Sequence, residues 1–235
     1  MADTTDRTAA GDQAAAGDRA AAGDRAGTAG RRERKKAATR RAIADTALRL
    51  FLERGYEQVG VREIAEGADV SVSTLFNYFP EGKEALVFDE DARNEAALVG
   101  AVTDRPPGRT IPQALRAHLA AFVDSAHTRD PRFADFERLV NDTPALREHS
   151  RTMWLRHEHA LARALADQTG RPHDDVICAA YARFTLESLA FARTCPDPAA
   201  AVDQVCLLLD QGWTATVAPD DPLPGGPAAD QPPSG

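Results

Sequence analysis

Residues 61–79 read VREIAEGADVSVSTLFNYF. The stretch predicts two short helices, Val61–Gly67 and Ser71–Tyr78, joined by the tight turn Ala68–Asp69–Val70. Ala65 is small enough for two helices to cross closely. Asp69 belongs to the few residue types that tolerate positive φ, as such a turn needs. Ser71 stands where its hydroxyl can accept from the free N–H groups at the start of the second helix. Val70, Leu75 and Phe79 are expected to anchor that helix, leaving Val72, Ser73, Thr74 and Asn77 facing outward.

An outward face of this chemistry suits the edges of base pairs. Asn can bond adenine twice, hydroxyls serve either kind of base, and apolar or methyl-bearing groups meet the thymine methyl. Cations flank it. RRERKKAATRR, residues 31–41, precedes the first core helix and includes Arg40 and Arg41, and Lys83 follows the second short helix. Phosphate contacts of this kind position a reading helix without carrying sequence information. Val72 and Phe76 also continue the Leu75/Phe79 spacing and fit a core role, while Arg62 fits a plain solvated surface.

The net charge of −8 hides an asymmetry. Residues 31–83 carry eleven basic and eight acidic side chains, against fourteen basic and twenty-three acidic in residues 84–235. A basic head on an acidic body concentrates positive charge where a polyanion can bind.

Outward from the head, everything ordered reads as helix. A first helix from about Lys36 to Arg54 places Ile43, Ala47, Leu50 and Phe51 on one face, and Gly55 follows where a left-handed cap would sit. Pro80–Gly82 breaks the chain before a fourth helix, about Lys83–Val102. Further helices are expected near Ile111–His127, Pro131–Asn141, Pro144–Thr169, His173–Thr194 and Pro198–Trp213. The last two are apolar over so much of their surface that something must cover them, a second subunit or the core of a monomer. The expected organisation has four parts: a disordered tail at 1–30 built on the AAGDRA repeat, a head at 31–86, a helical body at 87–216 and a disordered Pro/Gly-rich tail at 217–235.

The stretch from about Arg40 to Leu86 resembles the TetR family of regulators, through Ile43, Ala47, Leu50–Phe51, Gly55–Tyr56, Ile64–Ala65, Val70–Ser71, Thr74–Leu75, Asn77–Phe79 and Lys83–Leu86. The resemblance implies an all-α fold of about nine helices, with an N-terminal three-helix helix-turn-helix head and a C-terminal helical bundle. It also implies dimerisation through the last two helices and a ligand pocket within the bundle. Arg62 would then reach bases or phosphate, and Tyr78 and Lys83 would hold phosphates beside the reading helix. Three positions depart from the family pattern. Gly60 replaces a capping threonine, Phe76 replaces a common tyrosine, and Pro80–Lys83 is one residue longer than usual. The segment 141–172 is similar to TetR-like proteins that sense acyl-CoA-like or other amphipathic molecules.

Other functions find little support. Cys178, Cys195 and Cys206 show no C-x-x-C spacing, and His149, His157 and His159 form no zinc ligand set. No phosphate-binding Gly-rich loop or nucleophile elbow is present, so no enzyme activity, metal or cofactor is expected. Without an export signal or a membrane-spanning apolar run, the expected location is the cytoplasm. Phe122, Phe136, Met153, Trp154 and Phe184 are candidates to line a pocket for a small apolar or amphipathic effector. The expected function is a ligand-responsive repressor that binds a pseudo-palindromic double-stranded operator as a homodimer. The alternative is a helical small-molecule-binding protein whose head no longer reads DNA.

Overall fold

The structure is a computed structural model that describes the backbone of residues 7–129 and 133–217, with side chains at 31–124 and 133–216. Among the described residues it is all-α: nine α-helices and one 3-10 turn. The chain divides into two compact units, residues 1–89 and 90–235.

In the first unit, α1 (Arg7–Arg54), α2 (Val61–Gly67) and α3 (Val72–Tyr78) are followed by the 3-10 turn Glu84–Leu86. The core is Ile43, Ala47, Leu50 and Phe51 of α1 closed by Ile64, Ala65, Leu75, Phe79 and Leu86. Gly55 ends α1 at φ +86, and its N–H bonds the Phe51 carbonyl at 2.8 Å. A residue with a Cβ rarely adopts that conformation. At Gly67 a Cβ would stand 2.9 Å from Thr46 Cγ2, so the missing side chain lets α2 lie close on α1.

Two expectations change. The backbone of α1 is helical from Arg7, well before Lys36, and includes the Ala-rich repeat. Alanine is the strongest helix former and recurs through each copy between the glycines. The single helix expected over Lys83–Val102 is instead the 3-10 turn followed by α4 (Asp91–Thr103). Ala85, Leu86 and Val87 are all buried, and the N–H groups of Leu86 and Val87 bond the carbonyls three residues back, those of Lys83 at 3.3 Å and Glu84 at 3.0 Å. The chain therefore leaves the head in a tighter turn and begins α4 afresh at Asp91.

The second unit holds α4, α5 (Ile111–Arg129), α6 (Phe133–Asp142), α7 (Pro144–Thr169), α8 (Val176–Ala192) and α9 (Pro198–Val217). Helix α7 packs against α4 and α8, and α9 packs against α5 and α8. One core cluster centres on Leu98, Leu115, Leu161, Leu165, Cys178, Ala182 and Trp213. A second gathers Leu119, Val123, Leu189, Ala192, Val202 and Cys206. Asp175 caps α8, its carboxylate accepting from the N–H groups of Ile177 and Cys178 at 3.0 Å each. The bond from Cys178, together with the neighbouring Arg171, holds the Asp175 carboxyl below its ordinary range. The tail expected from residue 217 lies outside the described residues apart from Val217.

Candidate nucleic-acid interface

The turn between α2 and α3 is closed by its own backbone. Asp69 adopts φ +54, the N–H of Val70 bonds the Ala65 carbonyl at 2.9 Å, and the N–H of Asp69 bonds that of Glu66 at 3.1 Å. This crossed pair is the Schellman arrangement, here with Asp in the left-handed position usually given to Gly. Ser71 then caps α3. Its Oγ accepts from the Thr74 N–H at 3.1 Å and lies 2.9 and 2.8 Å from the hydroxyls of Ser73 and Thr74.

Leu75 and Phe79 fix the inner side of α3, at 0% and 1% exposure. At about 100° per residue, the opposite side is centred on Ser73 and Asn77. Both are exposed, with Thr74 and Phe76 on the flanks of that side. Val72 is half-buried, closer to the inner side. Phe76 is 45% exposed, so it belongs to the outer surface rather than the core, and its reading as core does not survive. Spacing alone leaves Phe76 undecided, because at about 100° per residue it falls on the flank between Phe79 and Asn77.

The cations divide into two groups. Arg62 on α2 and Arg41 on α1 are exposed. Arg40 reaches the C-terminal end of α3, donating to the Tyr78 carbonyl with its guanidinium 4.0 Å over the Phe79 ring. Lys83 is turned inward. Its ammonium donates to the Tyr56 carbonyl and lies 3.8 Å from the centre of the Tyr56 ring and 5.2 Å from that of Phe51. Partial burial holds the Lys83 pKa below its ordinary value. Tyr56 completes the cluster by donating to Glu84 at 2.8 Å, and burial with that carboxylate pushes its pKa up. Tyr78 is half-buried beside the outer face.

Comparison with known proteins follows the same boundaries. Residues 43–89 match the bacterial regulatory proteins of the tetR family, and residues 109–195 match the MftR C-terminal domain. The HTH-type transcriptional regulator TcmR of Streptomyces glaucescens is 32% identical over 152 residues, covering 62% of this chain and 67% of TcmR. The chain belongs to the TetR family. It is a helix-turn-helix, DNA-binding transcription regulator. A Mycobacterium tuberculosis protein assigned as the mycofactocin biosynthesis regulator MftR is 29% identical over 137 residues, covering 58% of this chain and 69% of that protein. Among solved structures, SmeT in complex with triclosan aligns with a TM-score of 0.51 at 22% identity, covering 83% of this chain and all of that one, and it supports the fold.

The helical body holds the remaining candidates. Of its five candidate pocket residues, Met153 is buried, while Phe122, Phe136 and Trp154 are half-buried. Trp154 packs against both core clusters, Phe122 against the second, and Phe136 stacks with Phe133 at 6.2 Å. Phe184 is a correction: it is 54% exposed on the outer side of α8, with Phe191 at 56% one face-repeat further on. The inner side of α8 is already taken by Tyr181, Ala182, Thr185, Leu186, Ser188 and Leu189. His157, from the histidine cluster, is buried and bonds Asp91 at 2.7 Å, while His159 is exposed, so the cluster does not converge. Among the described residues no group of histidine, cysteine and acid is arranged to hold a metal ion. No described helix is long and apolar enough to cross a membrane.

Proposed function

We propose that the chain is a homodimeric repressor that reads a pseudo-palindromic operator with α3 and releases it on binding a small apolar or amphipathic effector in the body. The observation that carries the reading is the outer face of α3, where Ser73 and Asn77 point away from a helix whose start is fixed by Ser71 and whose inner side is held by Leu75 and Phe79. Ser71, Val72, Ser73, Thr74 and Asn77 meet the major groove, Asn77 making the paired contact to an adenine. Arg62, Arg40, Arg41 and Tyr78 serve the phosphates. Lys83 joins them only by leaving the Tyr56 ring, so its first duty is to tie the 3-10 turn to the loop after α1.

Residues 31–86 form the reading domain and residues 87–216 the effector and dimerisation domain, the whole working in the cytoplasm. Support for dimerisation comes from α8 and α9. Val176, Phe184 and Phe191 on α8, with Leu207 and Leu208 on α9, are large apolar groups left exposed on adjacent helices. Two copies of such a surface would bury one another about a two-fold axis. Support for an effector comes from Trp154 between the two core clusters and from Thr185, whose buried Oγ1 is the one buried side-chain polar atom without a partner among the described residues. A bound molecule with one polar group would satisfy it.

Selection of duplexes by the full-length protein from a random-sequence pool tests the reading. Enrichment of a two-fold-related sequence, with affinity falling steeply with salt, is the expected result. No enrichment, or enrichment without sequence preference, would support the alternative of a binding protein with a silent head.

A further inference from the structure

We propose that Arg32 and Lys36 form with Arg40 a row that grips the DNA backbone outside the bases read by α3, extending the footprint of each head. This rests on the DNA-reading role above. Before Ile43, the first buried residue among the described side chains, helix α1 carries seven cations and one acid in residues 31–41. Residues 31–38 are exposed without exception, so no face of this part of the helix is used by the head's own core. A helix polar on all sides gains little from folding alone and is suited to an external partner. The charge names that partner's chemistry. The stretch is the densest run of cations in an otherwise acidic chain, and a phosphate backbone is its complement.

The spacing selects which cations take part. Arg32, Lys36 and Arg40 lie four places apart, and the same stripe continues as Ile43, Ala47, Leu50 and Phe51, which face the head's core. The three cations therefore stand on the side of α1 that turns toward the other head helices. Arg40 fixes where that side meets the reading helix, at the Tyr78 carbonyl and the Phe79 ring. Lys36 and Arg32 follow about 6 and 12 Å further along the α1 axis, at 1.5 Å per residue. The row thus begins at the C-terminal end of α3 and leads away from it. Arg31, Arg34 and Lys35 lie off this stripe, so the helix contains its own control of equal charge.

The test uses the full-length protein and a duplex that it selects from a random-sequence pool, prepared with flanks of about one helical turn or trimmed at the edges of the selected site. The wild type should bind the flanked duplex more tightly. Arg32→Gln with Lys36→Gln should remove that advantage and reduce the salt slope of the dimer by about 3.6, roughly 0.9 for each of the phosphates no longer neutralised, two per head. Arg31→Gln with Lys35→Gln, which removes the same charge, should keep the flank advantage and most of the slope. Equal losses in both pairs would mean diffuse attraction and overturn the row. A wild type indifferent to the flanks would overturn it as well, while leaving sequence selection intact. Failure to enrich any duplex would overturn the DNA reading itself, before either pair is made.

Discussion

The head and the body are held together by different kinds of information. In the head the contacts that shape the reading helix are local, although Arg40–Tyr78 and Tyr56–Glu84 span 38 and 28 positions: the Asp69–Val70 turn bonds within six residues, and Ser71 caps a helix that starts at the next position. In residues 90–217 the decisive contacts join distant parts of the chain. Tyr181 donates to Asp210 at 3.0 Å across 29 positions, and His157 meets Asp91 across 66. Local contacts can be read from residue order, whereas distant ones need the fold.

If each compact unit is also a unit of stability, core damage should stay in one of them. Leu75→Ala empties a fully buried site under α3 and should cost the head about 2–5 kcal/mol, a typical range for such truncations. Calorimetry should show the head melting earlier while the transition of the body keeps its temperature, and DNA binding should fail at temperatures where the body is intact. One merged transition, displaced as a whole, would mean that the units unfold cooperatively and that the comparison does not extend to energetics.

A surface change in the head should alter reading and leave folding alone. Asn77→Ala should relax preference at a single base position, at about 1–3 kcal/mol, with the melting of both units unmoved. Competition binding with single-base variants of the selected duplex checks this. Uniform weakening over all sequences would instead make Asn77 a phosphate contact.

Residue order made the head legible nearly to the residue. The α2 bounds, the turn and the Ser71 cap follow from turn and cap chemistry, which depends on neighbours alone. It misled where burial decides. Phe184 reads as pocket lining because it is a large aromatic in an apolar helix, yet which side of α8 meets the core depends on how α7 and α9 pack on it. The same limit hid the break between the 3-10 turn and α4, because Ala85–Val87 are buried by residues contributed from elsewhere in the head.

The body's distant pairs should respond to pH where the head's backbone turn does not. Burial raises the pKa of Asp210 above the ordinary carboxylate value, opposed by the Tyr181 hydroxyl and the nearby Arg116. A carboxyl raised on folding contributes fully below its unfolded pKa, and that contribution is lost as pH rises through the folded value. Asp210→Asn keeps an acceptor for Tyr181 and removes the charge. The body of this variant should melt higher than the wild type at neutral pH, and the difference should shrink as pH falls toward the ordinary carboxylate range. A difference that grows on acidification would show that the charge of Asp210, through Arg116, is a stabilising one.

The smallest effect concerns Gly60, the residue that precedes α2. Gly60 precedes α2 at φ −89 and ψ 154, an extended conformation open to any residue, and it supplies no side-chain cap. A Cβ added there would meet nothing within 4 Å. The glycine is therefore not required by the fold, and Gly60→Ser should stabilise the head. A cap gains a few tenths of a kcal/mol over glycine, and reduced freedom of the unfolded chain adds about 0.4–1. The gain should appear in the head's transition alone. If the new hydroxyl also reaches a phosphate, affinity for the selected duplex should rise, whereas the salt slope should hold because a hydroxyl adds no charge to displace counterions. Stability gained without any change in affinity would assign Gly60 to helix capping alone and leave phosphate anchoring to the arginines of α1 and α2.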